Sequence, residues 1–365
     1  MVQSGNVSQS RKTPGRLDVG ILSVASAAPE HVAHQRDVVE ATRLAYQEQF
    51  EDFDRIAAVF FTAGIHERHS CEPFGWYLTE RDWPERTEAY IRGALGLFID
   101  AAAKALERAD LKARDVDAIV TVSSTGIATP SLEAQAMGKL GFRDDVIRVP
   151  VFGMGCAGGA AGLALGAELA AASPGRVVLV VVVELCSLSF RRDLATKANM
   201  VAMALFGDGA AAAVLRTGPG GAMRIVDSGQ HTWPDTLHIM GWRVDKMGFG
   251  VIFDQSIPAF ARDNMASAIE GILKTQGRKR TDLTRFICHP GGRKVLEAIE
   301  MSMDLPPMAL DHEREVLRNY GNMSAPTVMF VLERVLTGKI PECSLLMALG
   351  PGFSISTVTL AAAGA

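Results

Sequence analysis

The chain has 365 residues, of which 48% are hydrophobic and 7% aromatic, and its formal net charge is -4 at pH 7. This composition supports a large core in one or two domains, and the weak negative charge with few aromatic residues argues against nucleic-acid partners and anionic membrane surfaces. The five cysteines are scattered and form no CxxC pair, which argues against a disulfide framework or a zinc site and is typical of a protein of the reducing cytoplasm.

The two ends of the hydropathy range are a polar N-terminus and one strongly apolar run. Residues 1–16 have no apolar signal region, so we expect a disordered tail rather than a signal peptide. The longest apolar run, "VVLVVVVEL" at 177–185, is too short to span a bilayer and predicts a strand buried on both faces. We therefore expect no integral membrane segment.

Strands and helices are predicted to alternate along the whole chain. In the first half, strands are predicted at 19–29, 116–125, 146–155 and 176–185, and helices at 89–111, at 131–142 with Ser131 as cap, and directly behind Cys156. In the second half, strands are predicted at 222–233 and 283–292 and on both sides of a Gly/Pro turn within 343–362, and helices at 257–277, 293–303 and 325–339. The alternation predicts an α/β fold with two similar halves, 17–220 and 221–365, divided in "RTGPGGAMR".

Cys156 lies in "MGCAGGAAG", between a predicted strand and a helix of small residues. Backbone N–H groups at a helix start stabilise an anion, so we expect a reactive thiol with a pKa lowered into the range of roughly 3.5–7.5 found at such sites. An inert, buried core cysteine is the alternative.

Two further motifs offer partners for this thiol. His289 ends a predicted strand in "ICHPGG", and Asn322 lies in "YGNMSAP" before a predicted helix. Alone, the histidine could be structural and the asparagine a helix cap or turn residue. Together with Cys156 they supply a nucleophile, a base and hydrogen-bond donors for the oxyanion of a thioester.

Five separated motifs give the chain a family resemblance. "GCAGGAAGL", "LFGDGAAAAVL", "HPGG", "YGNMSAPTVMFVL" and "LGPGFSISTVTL" occur in the order found in type III polyketide synthases. The resemblance covers the chain from about residue 17 onward, and the motifs look most like those of bacterial alkylpyrone-forming synthases. It implies a thiolase-like fold of duplicated, five-layered αβαβα architecture, a homodimer, and Cys156, His289 and Asn322 as catalytic residues.

The resemblance also implies a substrate-binding set. Phe206 matches the aromatic residue between the active site and the CoA tunnel, and Gly350, Pro351 and Gly352 match the loop that lines the cyclisation cavity. Val251 and Trp242 stand where plant members have a phenylalanine and a glycine. Thr129 replaces a methionine that reaches across the dimer, and Cys186 and Ser189 replace two threonines. These changes favour an acyl tunnel between helices, although Trp242 could also be a core residue. Ser124 and Ser324 complete the set.

The CoA-phosphate site is less well matched. Arg55 stands where the family has a lysine, but two other basic positions of the family correspond to Ala58 and Thr62. Arg262, Arg293 and Lys294 could compensate by pairing with phosphate, since arginine and lysine are the usual phosphate ligands. Each of these could instead be a solvated surface residue.

The resemblance implies an iterative decarboxylating condensation of a medium- or long-chain acyl-CoA with malonyl-CoA. Two or three rounds followed by lactonisation would give an alkylpyrone, which demands less of the protein than the aldol closure of a resorcinol. No metal or redox cofactor is expected, since no HExxH, Walker or Rossmann motif is present. The alternatives are a single-round, ketoacyl synthase III-like enzyme that uses an acyl carrier protein, and a catalytically idle acyl-binding scaffold dimer.

Overall fold

The computed structural model describes residues 17–364, so the tail predicted at 1–16 lies outside the described residues. Within them, the strands are β1 (Val19–Ala27), β2 (His31–His34), β3 (Glu67–Ser70), β4 (Ala118–Val122), β5 (Ile147–Val151), β6 (Val177–Leu185), β7 (Asp208–Thr217), β8 (Met223–Thr232), β9 (Met240–Asp245), β10 (Gly248–Phe253), β11 (Arg285–Cys288), β12 (Cys343–Gly350) and β13 (Ser354–Ala362). The helices are α1 (Gln35–Tyr46), α2 (Phe53–Thr62), α3 (Trp83–Arg108), α4 (Leu132–Leu140), α5 (Gly158–Ala171), α6 (Lys197–Leu205), α7 (Ile257–Thr275), α8 (Arg293–Ser302), α9 (Asp311–Tyr320) and α10 (Thr327–Thr337).

Both halves of the chain build the same strand order. The N-terminal half has the order β5-β4-β6-β7-β1, and the C-terminal half has β11-β12-β13-β8. In each half, the first strand pairs antiparallel with the last, the last pairs antiparallel with the strand before it, and that strand pairs parallel with the next. A short ladder between β1 and β8 joins the halves. The repeated order confirms the duplicated fold class expected from the sequence.

Hydrophobic packing arranges these elements in five layers. One cluster packs α3 and α4 on the outer face of the N-terminal strands. A central cluster packs α5 and α10 between the two halves of the sheet, and a third packs α7 and α8 on the outer face of the C-terminal strands. Helices therefore cover both faces, and every residue of β6 is buried, as its uninterrupted apolar sequence predicts.

Local sequence signals set several element ends. Helix α3 begins at Trp83, before the predicted start at 89, because Asp82 and Glu85 form a reciprocal capping box. Ser131 occupies the N-cap position of α4 but makes no capping hydrogen bond, since its hydroxyl donates to the carboxylate of Glu133. The helix predicted around Arg55 is α2, whereas the elements β2, α1, β3, α6, β9, β10 and α9 were not predicted from the sequence.

The Gly/Pro segment 218–222 connects β7 to β8, where the two strand orders meet. We propose this segment as the boundary between the halves at 17–220 and 221–365. None of the helices in residues 17–364 combines the length and the apolarity that crossing a lipid bilayer requires.

Candidate active site

Cys156 lies in a single 3-10 turn, Gly155–Ala157, between β5 and α5. Gly155 has φ +46°, and a Cβ there would lie 2.7 Å from Cδ of Pro351. A Cβ on Gly350 would likewise lie 2.6 Å from Cβ of Ala157. The turn at 350–351 therefore packs directly against the turn that carries Cys156, which supports the expectation that this loop shapes the cavity.

Cys156, His289 and Asn322 line one cavity at the centre of the molecule, which we call the rear cavity. His289 directly follows β11, and its backbone N–H donates to the carbonyl of Met347. Asn322 lies between α9 and α10 and is 1% exposed. The fold thus brings residues 156 and 322, which are more than 160 positions apart in the sequence, to the same cavity.

The carboxamide of Asn322 is held in a fixed orientation. Its Nδ2 donates to the carbonyl of Gly291 at 3.1 Å, and its Oδ1 accepts from the backbone N–H of Ser324 at 2.8 Å. A primary amide has two N–H groups, so one remains to donate to a substrate oxygen. Ser324 has φ +59°, an unfavourable conformation for a residue with a side chain. Such strain is concentrated at functional sites.

His289 is buried and neither of its ring nitrogens has a hydrogen-bond partner among the described residues. Burial lowers the pKa of His289 to about 3, because the charged imidazolium loses its solvation. The imidazole is therefore neutral at pH 7 and can accept a proton. Because His289 lines the rear cavity, its unpaired nitrogens favour a role in binding a polar substrate atom.

The prediction from the sequence that the Cys156 thiol has a lowered pKa is wrong. Desolvation raises the pKa of Cys156 to about 11; a hydrogen bond with Ser324 opposes this shift, and the charge of Glu184 adds to it. The backbone amides at the turn have only a small opposing effect. Cys156 is 6% exposed, and at this burial the loss of solvation outweighs the stabilisation of the thiolate by the protein.

Most of the expected substrate-binding residues surround a second cavity in front of Cys156, which we call the condensation cavity. Its lining includes the predicted residues Ser124, Cys186, Phe206, Trp242, Val251, Ser324 and Pro351. Trp242 and Val251 are directly opposite each other on the β9–β10 hairpin. Trp242 therefore forms part of the cavity wall and is not solely a core residue.

A largely apolar pocket, which we call the side channel, lies beside the condensation cavity between α1 and α6. This side channel has a volume of about 90 Å³ and shares Cys186 and Phe206 with the condensation cavity. Ser189 lines it as well, beside Ala41 of α1 and Ala202 of α6. Since one water occupies about 10–15 Å³ by this measure, the channel has room for more than isolated waters.

Ser124 connects three parts of the site. Its backbone N–H donates to Glu184 at 2.9 Å, its carbonyl accepts from Nε1 of Trp242 at 2.8 Å, and its hydroxyl accepts from the backbone N–H groups of Gly153 and Gly155. Glu184 is completely buried in β6, and desolvation raises its pKa to about 7. Ser124 therefore fixes the position of the turn that carries Cys156 and of the cavity wall that Trp242 forms.

Gly350 and Gly352 flank Pro351 but do not themselves line these cavities, and two further groups of predicted residues lie outside them. Thr129 is exposed in the loop between β4 and α4. Arg55, Arg262 and Arg293 are exposed and pair with Asp52, Asp263 and Glu297 respectively, and Lys294 is exposed beside Arg293. Arg293 nevertheless lies at the end of α2, since its N–H donates to Ala63, and Arg55 lies near the start of that helix. A phosphate site there stays a prediction.

Several residues of the site were missed by the sequence analysis. Met240 and Phe253 line both the rear and condensation cavities, but nothing in their local sequence separates them from core residues. Glu184 had a usable signal, because it is the one carboxylate within the apolar run 177–185. Arg68, which is buried beside α6, also lines the side channel.

The thiol pKa predicts how Cys156 responds to pH. We expect its alkylation by iodoacetamide to accelerate about tenfold per pH unit between pH 7 and pH 9, because the thiolate fraction rises tenfold per unit below the pKa. Mass spectrometry of the peptide containing Cys156 measures this rate separately from the other cysteines. A rate that is already constant from pH 7 upward would contradict the prediction and indicate a thiolate held by His289.

Comparisons with known proteins agree with this geometry. Residues 81–219 match the N-terminal domain, and residues 224–363 the C-terminal domain, of chalcone and stilbene synthases. The chain is 38% identical to 1,3,6,8-tetrahydroxynaphthalene synthase of Streptomyces peucetius subsp. caesius over 93% of this chain and 92% of the relative. It is 29% identical to 3,5-dihydroxyphenylacetyl-CoA synthase of Streptomyces toyocaensis over 93% of each chain.

A solved structure shows the same architecture. The crystal structure of 1,3,6,8-tetrahydroxynaphthalene synthase from Streptomyces coelicolor A3(2), a bacterial type III polyketide synthase, superimposes with a TM-score of 0.90. It is 27% identical in sequence, and the match covers 95% of this chain and 100% of that one. The chain thus belongs to the chalcone and stilbene synthase family and is a type III polyketide synthase, a condensing enzyme that acts on CoA thioesters.

Proposed function

We propose that the enzyme extends a medium- or long-chain acyl starter with malonyl-CoA and releases the product as an alkylpyrone. The observation that carries this proposal is the side channel. It meets the condensation cavity at Cys186 and Phe206, so an acyl group attached to Sγ of Cys156 has an apolar path away from the reacting carbonyl. Burying each methylene of such a chain stabilises the complex by about 0.8 kcal/mol.

The loading step starts from the neutral thiol of Cys156 and the neutral imidazole of His289. A nitrogen of His289 accepts the proton of the Cys156 thiol while the sulfur attacks the acyl-CoA carbonyl. The free N–H of Asn322 stabilises the oxyanion, and the imidazolium formed in the same step can donate to it as well. The C–S bond to CoA then breaks, CoA leaves as its thiol after protonation, and the acyl group stays on Cys156.

Extension and release follow on the same residues. Malonyl-CoA enters beside the apolar ring of Phe206, loses its carboxylate as CO₂, and the resulting enolate is stabilised by donors from His289 and Asn322. The enolate carbon attacks the acyl thioester, and Cys156 leaves as the thiolate. The extended chain is now a thioester of CoA, and the Cys156 thiolate takes it back by thioester exchange, which releases CoA before the next round or the closing step. After two or three rounds, an enol oxygen attacks the terminal thioester carbonyl, which closes a pyrone and frees the enzyme.

A second candidate is supported by the relatives. The product named for the tetrahydroxynaphthalene synthases has an aromatic skeleton without an alkyl chain. In this chain the corresponding activity would use malonyl-CoA without an acyl starter, and the side channel would stay unused. The exposed basic residues near α2 are available for CoA phosphate in either case.

We also propose that the enzyme is a homodimer formed along the edge strand β5. Ile127, Ile147 and Phe152 expose apolar surface at this edge, and the buried carboxylate of Glu133 has one oxygen without a partner in the described residues. A second copy of this chain would cover the edge. Thr129, on the same side, would then lie at the interface, as the family resemblance implies.

The function is tested by incubating the enzyme with octanoyl-CoA or palmitoyl-CoA and labelled malonyl-CoA. We expect CO₂ release and a pyrone that contains the acyl chain. A Cys156→Ala variant should lose the covalent acyl intermediate, seen by intact-mass spectrometry, and retain only slow decarboxylation.

Other products of the same assay decide between the candidates. An aromatic product from malonyl-CoA alone would support the second candidate, and a β-keto product extended once would support a single-round condensing enzyme. A carrier-protein thioester accepted in place of acyl-CoA would point the same way. Complete absence of CO₂ release would leave only an acyl-binding scaffold.

Filling the side channel should change starter selection. Cys186→Phe places a ring at the junction of the channel and the condensation cavity, so we expect turnover with palmitoyl-CoA to fall at least roughly tenfold, equivalent to about 1.4 kcal/mol. Turnover with a short starter should change much less. Cys186→Ser, which leaves the volume nearly unchanged, is the matched control. An unaltered chain-length profile in the phenylalanine variant would show that the acyl chain lies elsewhere.

The dimer is tested by a charge at the sheet edge. Ile147→Glu should shift the mass measured by light scattering from dimer to monomer, because two buried carboxylates would face each other across the symmetric interface. Leu237→Glu introduces the same charge at another exposed apolar residue and should leave the dimer intact. Dimeric Ile147→Glu protein would place the interface on another face.

A further inference from the structure

The C-terminal end of α6 has an unusual set of hydrogen-bond partners. The last carbonyls of a helix have no partner within the helix and must find one elsewhere. Here the Met203 carbonyl accepts from Nη1 of Arg68, and the Ala204 carbonyl accepts from Nη2 of Arg68 and from Nε2 of Gln35. Phe206 follows the helix directly and forms its C-cap.

Arg68 reaches this helix end from β3. Its guanidinium donates to the Met203 carbonyl at 2.5 Å, to the Ala204 carbonyl at 3.1 Å and to the Phe206 carbonyl at 3.3 Å. Arg68 is 5% exposed, and no ion pair with a carboxylate is found for it among residues 17–364. A buried cation without a carboxylate is costly, and burial lowers the pKa of Arg68 to about 9.

The C-terminal end of α6 offsets part of the cost of burying the Arg68 cation. Helix C-termini carry partial negative charge, so a cation there is favourable, most of all where the site is partly buried. No basic residue lies in the last turn of α6 itself. Arg68 therefore supplies the charge that the helix lacks, and its planar fork contacts several carbonyls at once, which a lysine ammonium cannot do in the same geometry.

The same helix end is joined to a catalytic residue. The backbone N–H of Asn322 donates to the Leu205 carbonyl at 2.8 Å, and the N–H of Gly207 donates to the Asn322 carbonyl at 3.0 Å. Phe206 and Asn322 thus form an isolated parallel β-bridge. A Cβ on Gly207 would lie 3.2 Å from Cβ of Arg68, so these segments are in close contact.

We propose that Arg68 is a positioning residue for the condensation step. By capping α6, it holds the ring of Phe206 in the position that extension requires, whereas the carboxamide of Asn322, which also acts in loading, is held by Gly291 and Ser324. The inference rests on the proposed function, because Phe206 and Asn322 act there on malonyl-CoA and its enolate. Loading of the starter on Cys156 depends less on Phe206 and should be less sensitive to Arg68.

Three variants test this role. Arg68→Met removes the donors and keeps the apolar stem, whereas Arg68→Lys keeps the charge and loses the fork. Arg108→Met is the matched control, since Arg108 also donates to a backbone carbonyl, that of Val24, but belongs to the outer layer at the end of α3. Acylation of Cys156 is followed by intact-mass spectrometry, and extension by CO₂ release and polyketide yield.

We expect Arg68→Met to lower kcat for extension at least roughly tenfold and to change the acylation rate less than about threefold, with Arg68→Lys between it and the unmodified enzyme. A simple loss of stability would lower both rates together. Arg108→Met should leave both rates unchanged. If Arg68→Lys extends the chain as fast as the Arg108→Met control does, the proposal is overturned. This comparison remains valid even if Arg68→Met does not fold.

A readout without catalysis separates this proposal from the proposed function. With 4-fluorophenylalanine at position 206, the fluorine resonance reports the ring environment, which includes Phe253 at a centroid distance of 6.3 Å. We expect the resonance to shift or broaden in Arg68→Lys and not in Arg108→Met. An unshifted resonance would overturn the positioning role. If the unmodified enzyme releases no CO₂ while the resonance responds, the proposed function fails and the positioning of Phe206 by Arg68 stands.

Discussion

The close approach of α5 to the segment that leads into α10 is the constraint on which the active site depends. A Cβ on Gly159 would lie 2.4 Å from the carbonyl oxygen of Ala325 and 2.6 Å from Cγ1 of Val328. Only glycine permits this contact between a helix and a neighbouring backbone. Because Cys156 precedes Gly159 by one turn and Asn322 and Ser324 precede Ala325, the contact that packs the central layer also places the nucleophile beside its partners.

The same packing determines the charge state of the site. A central layer covered by sheets on both sides excludes water, so Cys156 and His289 are both uncharged at neutral pH. The stabilisation of a thiolate by Ser324 and by the backbone amide is therefore outweighed by the loss of solvation. In the mechanism that we propose, charge develops only as the thiol proton moves to the imidazole during attack, and the carboxamide of Asn322 is already oriented by Gly291 and Ser324.

The sequence predicted the layers, and it singled out the three residues that line the rear cavity together, because both signals are encoded locally. The uninterrupted apolar run of β6, the small residues of α5 and the strand ends at His289 are visible without tertiary information. The thiol acidity was wrong because burial is a property of the folded layers and not of the "MGCAGG" motif. Arg68 was invisible for a similar reason: in sequence it is one of many arginines, and only the fold brings it to the end of α6, more than a hundred residues away.

The β9–β10 hairpin forms a sheet of its own, outside the nine-stranded sheet. It is attached through the indole of Trp242 at Ser124 and through the pairing of Arg191 with Asp245. This wall of the condensation cavity thus belongs to a different sheet from the strands that lead to Cys156 and His289. Because the two sheets are separate, enzymes that descend from one ancestor can diversify their products through changes in the hairpin, while the strands next to Cys156 and His289 are inherited unchanged.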